Sequence, residues 1–279
     1  MKICKTIEDM RAACRAARHG GKRLGFVPTM GALHEGHLSL VRAAKAACDV
    51  VVVSIFVNPT QFGPMEDLAK YPRTFERDCE LLEKEGMQLL FAPAVEEMYP
   101  AGAVTWVTVE GLSDQLDGRS RPGHFRGVST VVAKLFHVVE PDVAFFGQKD
   151  AAQVAVIRRM VRDLSFPVKI VACPIVREAD GLAMSSRNAY LNEQQRNQAL
   201  VLHRALMRVK KLWEGGERSV EKLLAAGRDE VTKEDAVRLD YFELVNADSL
   251  DAVEKAKSGT LVAVAAFVGT TRLIDNILL

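Results

Sequence analysis

From residue 23 to residue 173 the chain alternates short β-branched runs with longer stretches of helical periodicity, and this alternation narrows the possible folds more than any other feature. Parallel strands need a crossover between them and a helix is the usual one, so the pattern is that of βαβ units around a parallel sheet. The runs fall at 24–27, 50–56, 89–92, 104–109, 143–146 and 168–171. Residues 50–57 are apolar on both alternating faces apart from Ser54, as in a central strand covered by helices on each side. The expectation is a doubly wound parallel α/β sheet, which binds ligands at the carboxyl ends of its strands.

After Asn188 the texture changes. Residues 192–215 and 219–232 read as helices and 239–245 and 261–268 as strands, an α+β pattern. The reading divides the 279 residues into a Rossmann-like domain, 1–176, and a smaller C-terminal α+β lid domain, 177–279. The hinge falls at about 176–188, where READGLAMSSRN holds too many charged and small residues for a helix or a core strand.

A formal net charge of +1 provides no broad field for nucleic acid. The longest apolar stretches, near 50–57 and 261–268, are too short to span a bilayer, and MKICKTIEDM lacks the apolar core of a secretory signal. The five cysteines are odd in number and never spaced as CxxC, so free thiols are expected rather than a disulfide framework or a zinc site. These features predict a cytoplasmic protein whose partners are small molecules.

The segment FVPTMGALHEGHLSLVRAA, residues 26–44, reads as strand, turn and helix. An apolar strand ends at Pro28 and Thr29, Met30 and Gly31 enter a tight turn, and Leu33, Leu38, Val41 and Ala44 recur at helical spacing. A helix start offers unpaired N–H groups and the positive end of the dipole, a seat for phosphate. His34 and His37 stand one turn apart beside that seat, where imidazole N–H groups stabilise charge growing on phosphorus. Two histidines three apart are otherwise a metal half-site or a solvated face. The glycine between them and the preceding turn favour the phosphate reading. GxxxxGK[ST] and GxGxxG are both absent, which argues against P-loop and dinucleotide-binding chemistry.

Three further segments follow strand ends or the hinge. In NPTQ, Asn58 and Gln61 can hydrogen-bond a hydroxy acid without adding charge. In FFGQKDAAQ, a strand end at Gly147 and Gln148 is followed by Lys149, suited to phosphate, Asp150, suited to a ribose hydroxyl or the helix N-terminus, and Gln153 one turn on. In the hinge, Met184 precedes Ser185, Ser186 and Arg187, two hydroxyls and a guanidinium able to close over phosphates. Alone, these would be a turn, a capped helix and a linker.

The string PTMGALHEGHLSLV resembles the His-x-Gly-His nucleotidyltransferases and, within them, the pantothenate synthetases, and the other segments follow in that family's order. The resemblance implies ATP-dependent condensation of pantoate with β-alanine through a pantoyl adenylate. It also implies Mg²⁺ carried with ATP mainly by the phosphates, with no direct protein ligand, and a homodimer. It assigns catalysis to His34, His37 and Lys149. ATP is expected at Met30, Gly31, His34, His37, Gly147, Gln148, Lys149, Asp150, Met184, Ser185, Ser186, Arg187 and the backbone of Val176. Pantoate is expected at Gln61, Gln153 and Asn58, and β-alanine at Gln61. Arg121 and His124 are given supporting roles, and Asp78 is either an orienting carboxylate or a solvated helix acid. The chain departs from the family's GEKD-aromatic-Gln-Gln pattern at Gln148, Ala151 and Ala152, which opens the question of the packing behind the site. The alternatives are a nucleotidyltransferase that leaves the nucleotide on its product, and a silent nucleotide-binding module.

Overall fold

Five of the six expected runs become strands of one parallel sheet in the computed structural model, which describes residues 1–64 and 66–279. The sheet is built from β1 (Lys2–Cys4), β2 (Leu24–Thr29), β3 (Val50–Ile55), β4 (Leu89–Phe91), β5 (Val143–Gly147) and β6 (Lys169–Cys173). The helices between them are α1 (Ile7–Ala17), α2 (Glu35–Ala47), α3 (Phe75–Lys84), the short α4 (Val95–Met98) and α5 (Asp117–Ser120), α6 (His124–Val139) and α7 (Ala151–Asp163). Strand order is β1-β4-β3-β2-β5-β6, all parallel. From β2 the chain winds outward through β3, whereas β5 lies on β2's other side and leads to β6. The winding therefore reverses between β2 and β5, and the crevice at their carboxyl ends is where such sheets take ligands.

Alternation along each strand divides the core. Phe26, Val52, Phe91 and Phe146 face one way, into the core shared with α1, α6 and α7. Val27, Val53, Leu90 and Phe145 face the other, onto Leu40, Val41 and Ala44 of α2 and Leu82 of α3. β1 and α1 are not among the expected elements: three residues are too few to carry a period, and α1, interspersed with Glu8, Asp9, Arg11 and Arg15, buries only Met10, Ala13 and Cys14.

The run at 104–109 is not a strand. Its β-branched alternation is real, with Val107 and Val109 packed inward and Val104 and Trp106 outward, but no strand among the described residues pairs with it. Hydroxyls of α6 hold its backbone instead: Thr130 Oγ1 accepts from Val107 N at 2.9 Å, and Ser129 Oγ donates to Val107 O at 2.6 Å. Val104 is left 82% exposed and Trp106 41%.

The C-terminal part comprises α8 (Glu193–Glu214), α9 (Val220–Val231) and an antiparallel sheet β7 (Val237–Asn246), β8 (Thr260–Val268), β9 (Thr271–Leu278) in that order. The last strand is a further element beyond those expected. One face of this sheet, with Phe242, Leu244, Val262 and Val264, packs under Leu202, Leu206 and Leu223 of α8 and α9. The other, with Tyr241, Val245, Ala263 and Ala265, joins the same hydrophobic core as α6 and α7. Arg272 on β9 adds a charged tie, donating to Asp117 of α5 at 2.7 Å and to Asp240 of β7 at 2.8 Å. Asp117 is buried, so Arg272→Ala strands a carboxylate without its cation. The expected cost is about 3 kcal/mol, read as a lower denaturant midpoint.

Candidate active site

A cavity of about 220 Å³ opens at the β2/β5 switch point. Its floor is the end of β2 and the start of α2, and its geometry begins with the backbone. Gly31 (φ 81°) and Ala32 (φ 50°) both adopt the left-handed region, turning the chain out of β2 within two residues. A Cβ at Gly31 would lie 3.0 Å from Asp78 Oδ2 and 3.1 Å from Ile55 Cγ2, so glycine is required there twice over. Asp78 of α3, 1% exposed, accepts from Ala32 N and Leu33 N, each at 2.8 Å, and from Thr74 Oγ1 at 3.1 Å. It is thus neither solvated nor aimed at a histidine. It holds the turn.

His34 is the N-cap of α2. Its Nδ1 accepts from Gly36 N at 3.1 Å, and His37 Nδ1 faces His34 N at 3.4 Å, so each ring is the neutral tautomer carrying its proton on Nε2. The ring centroids are 4.2 Å apart. Gly36 makes the close cap possible, since a Cβ there would stand 2.8 Å from His34 Cε1. Burial first, then the Lys149 ammonium, lowers the His34 pKa to about 4. Burial, His34 and Lys149 lower that of His37 to about 3. Both imidazoles are uncharged donors at neutral pH.

On the opposite side, β5 ends at Gly147 and a single turn, Gln148–Asp150, leads into α7. Lys149 and Asp150 line the cavity, with Lys149 Nζ 3.7 Å from Asp150 Oδ1, and Gln153 follows on the helix. Ala151 and Ala152 are buried in the core, so the departures from the family pattern are filled by close packing. Val176, Met184, Ser185, Ser186 and Arg187 complete the wall. Arg187 donates to both oxygens of Asp67, Nε to Oδ2 at 2.9 Å and Nη2 to Oδ1 at 3.0 Å. Tyr190 OH donates to Lys70 O at 3.1 Å, so this segment is tied across the mouth to residues 67–70.

The polar end of the cavity is set by Gln61, 9% exposed. Asn58 Nδ2 donates to Gln61 Oε1 at 3.0 Å and to Gly127 O at 3.1 Å, while Asn58 Oδ1 accepts from Thr60 and Tyr99. Both amide hydrogens of Asn58 are therefore committed to the protein, and its effect on a ligand passes through Gln61. His124 Nδ1–H donates to Gln61 O at 2.8 Å, leaving Nε2 to accept from Arg121 Nη1 at 3.0 Å. Arg121 is gripped on its other edge by Glu66, Nε to Oε1 at 2.8 Å and Nη2 to Oε2 at 2.6 Å. Gly127 lets α6 approach the NPTQ turn, because any Cβ there would collide with Thr60 O.

Of the expected site residues, Met30, His34, His37, Asn58, Gln61, Gly147, Lys149, Asp150, Gln153, Val176, Met184, Ser185, Ser186 and Arg187 all line this one cavity. Gly31 and Gln148 do not reach its wall: Gly31 shapes the turn behind it, and Gln148 turns its amide to Asn276 on β9. Sequence reasoning missed Tyr71, the apolar wall of Val128, Val131 and Leu135 on α6, and the contribution of Asp67. Only the helical spacing of α6 could have flagged any of them.

His124 also reports on stability. Burial, then Arg121, lowers its pKa to about 4, so the unfolded chain takes up a proton below about pH 6.5 that the folded chain refuses. The unfolded state binds more protons in that window, and stability must fall as pH drops from about 6.5 to 4. Denaturant midpoints measured across this range should fall less steeply for His124→Gln than for the wild type.

The family model described as Pantoate-beta-alanine ligase matches residues 2–278. A pantothenate synthetase of Acidobacterium capsulatum is 62% identical over 290 aligned residues, covering 100% of this chain and 97% of that protein. The solved pantothenate synthetase of Thermus thermophilus superimposes with a TM-score of 0.95 at 48% identity, covering 100% of this chain and 99% of that one. The pantoate-beta-alanine ligase of Francisella tularensis, solved with beta-gamma ATP and β-alanine, gives 0.82 at 33%, with 100% and 97% covered. With its length matched throughout, the chain belongs to the pantoate–β-alanine ligase family.

Proposed function

We propose that this chain condenses (R)-pantoate with β-alanine in two steps, forming a pantoyl adenylate from ATP and then pantothenate and AMP. The observation that carries the reading is the pair of neutral imidazoles at the exit of β2, facing Lys149 and the 184–187 segment across one cavity at the switch point.

ATP is placed with its adenine near Gly147–Asp150 and the backbone of Val176, and its phosphates over the Met30–His37 turn. The pantoate carboxylate, oriented by Gln61 and Gln153 with Asn58 behind them, attacks the α-phosphorus in line. A phosphorus–oxygen bond to the carboxylate forms and the bond to pyrophosphate breaks. His34 and His37 donate from Nε2 to the oxygens gaining charge. Their low pKa values help, because each Nδ1 stays unprotonated and keeps facing its backbone N–H, which holds the Nε2–H in one direction. Lys149, Ser185, Ser186 and Arg187 contribute cationic and hydroxyl donors. The amine of β-alanine, held beside Gln61, then attacks the acyl carbon and AMP departs.

Mg²⁺ fits the donor set as an ion that takes most ligands from phosphate and water, with the Asp150 carboxylate on the wall as an outer partner. When bound with ATP it neutralises phosphate charge. The 177–279 unit acts in this reading as a lid whose moving part is the hinge segment at 176–188 itself, and the Arg187–Asp67 and Tyr190–Lys70 ties mark where it meets the mouth. Among the described residues no helix is long and apolar enough to cross a membrane, and we place the enzyme in the cytoplasm.

Pyrophosphate release should require ATP and pantoate alone, and AMP and pantothenate should appear only when β-alanine is added. Release without pantoate, or nucleotide retained on the final product, contradicts the reading. His37→Ala should slow pyrophosphate release by about 10²–10³ with an unchanged circular dichroism spectrum.

The homodimer implied by the family is assigned to the unpaired 104–109 edge. A second copy related by a twofold axis can pair this edge antiparallel and cover Val104 and Trp106. Trp106→Glu with Val104→Lys should shift the sedimentation coefficient from dimer to monomer. An unchanged dimer would locate the interface elsewhere.

A further inference from the structure

Asn276 lies on β9, far along the chain from Lys149, and is 3% exposed. Its Nδ2 donates to Gln148 O at 3.0 Å and to Lys149 O at 2.9 Å. Its Oδ1 accepts from Gln148 Nε2 at 3.2 Å. Both amide hydrogens and the oxygen are thereby used, a fully satisfied buried amide.

The two carbonyls matter because of where they sit. Gln148 O belongs to the peptide plane before Lys149 and Lys149 O to the plane after it. Peptide units are rigid, so holding both planes leaves the backbone angles of Lys149 little freedom and fixes the direction of its Cα–Cβ bond. The Gln148–Asp150 turn has no side-chain cap of its own among the described residues, and Asp150 makes no side-chain cap bond to α7. The tether comes from the other sheet.

We propose that Asn276 is a positioning residue for adenylation, aiming the Lys149 ammonium into the phosphate end of the cavity, with Gln148 as its matched partner. The proposal rests on the catalytic reading of Lys149 given above. Asn276 touches neither ATP nor pantoate in this reading and acts through Lys149 alone. Asn276 cannot flip its amide without losing both carbonyls, so its Oδ1 stays turned to Gln148, whose Nε2 donates to it.

The test is a double-mutant cycle on pantoate- and ATP-dependent pyrophosphate release without β-alanine, using wild type, Asn276→Ala, Lys149→Ala and the double variant. Asn276→Ala is expected to lower kcat by about 10–100-fold, the scale of loss that follows a small misplacement of a catalytic group, with KM for pantoate little changed. In the Lys149→Ala background the same substitution should change kcat by less than roughly twofold, because the group it aims is gone. Losses that multiply in the double variant, or a rise in pantoate KM with kcat intact, overturn the proposal. Should Asn276→Ala not fold, Asn276→Leu, close in size and without a donor for either carbonyl, enters the same cycle, with the same dependence on Lys149 expected and multiplying losses again fatal. A wild-type chain that releases no pyrophosphate overturns the functional reading and this proposal with it. An active wild type with independent losses overturns the proposal alone.

Discussion

The carboxylate of Asp78 carries the constraint on which the site depends. Where β2 ends, two successive residues turn through left-handed backbone, and the N–H groups that follow would be buried without partners. Asp78 takes those of Ala32 and Leu33 on separate oxygens, and Thr74 completes its shell. A buried carboxylate satisfied by backbone donors is costly to disturb and has few alternative geometries. The turn is therefore rigid before any ligand arrives, His34 caps α2 in one orientation, and both imidazoles are locked in the tautomer that directs Nε2–H outward. Strand, turn, cap and tautomer form one chain of causes.

This explains what the sequence discloses and what it hides. The parallel sheet was legible because strands such as 50–55 are apolar on both faces and their crossovers carry helical periods. The strand expected at 104–109 did not form, because period-2 alternation records which side chains face inward and says nothing of whether a partner strand exists. β1 was too short for any pattern. In the site, HEGH and SSR could be read because each segment holds its own donors within a few residues. The roles of Asp78, Arg121 and Asn276 could not, since each acts on groups that are distant in sequence. Asn58 falls between: its type pointed to hydrogen bonding, but only the contacts reveal that its capacity is spent on Gln61, Gly127, Thr60 and Tyr99.

Charge is arranged to the same end. The guanidinium groups near the mouth already have acidic partners: Arg187 with Asp67, Arg121 with Glu66, Arg177 with Asp275. Forked carboxylate–guanidinium pairs of this kind hold a planar cation at a fixed angle, so each remaining N–H points in a set direction. Lys149 is the exception, being 3.7 Å from the half-exposed Asp150 and otherwise open to the cavity. Its ammonium has no rigid fork, and orientation must come from its backbone.

That requirement changes how the C-terminal part is understood. A lid that only covered the cleft would need surface contacts, which part and reform at small cost. Here the antiparallel sheet shares a hydrophobic core with α6 and α7, and adjacent residues of β9 reach two segments of the cavity wall at once: Asp275 fixes Arg177, next to Val176, and Asn276 fixes the Gln148–Lys149 turn. Any opening that carried β9 away would expose apolar surface and release both segments together. In the lid reading proposed above, movement over the mouth is therefore cheapest in residues 178–190, which touch the body through the Arg187–Asp67 and Tyr190–Lys70 ties, while β9 stays seated behind the cavity wall.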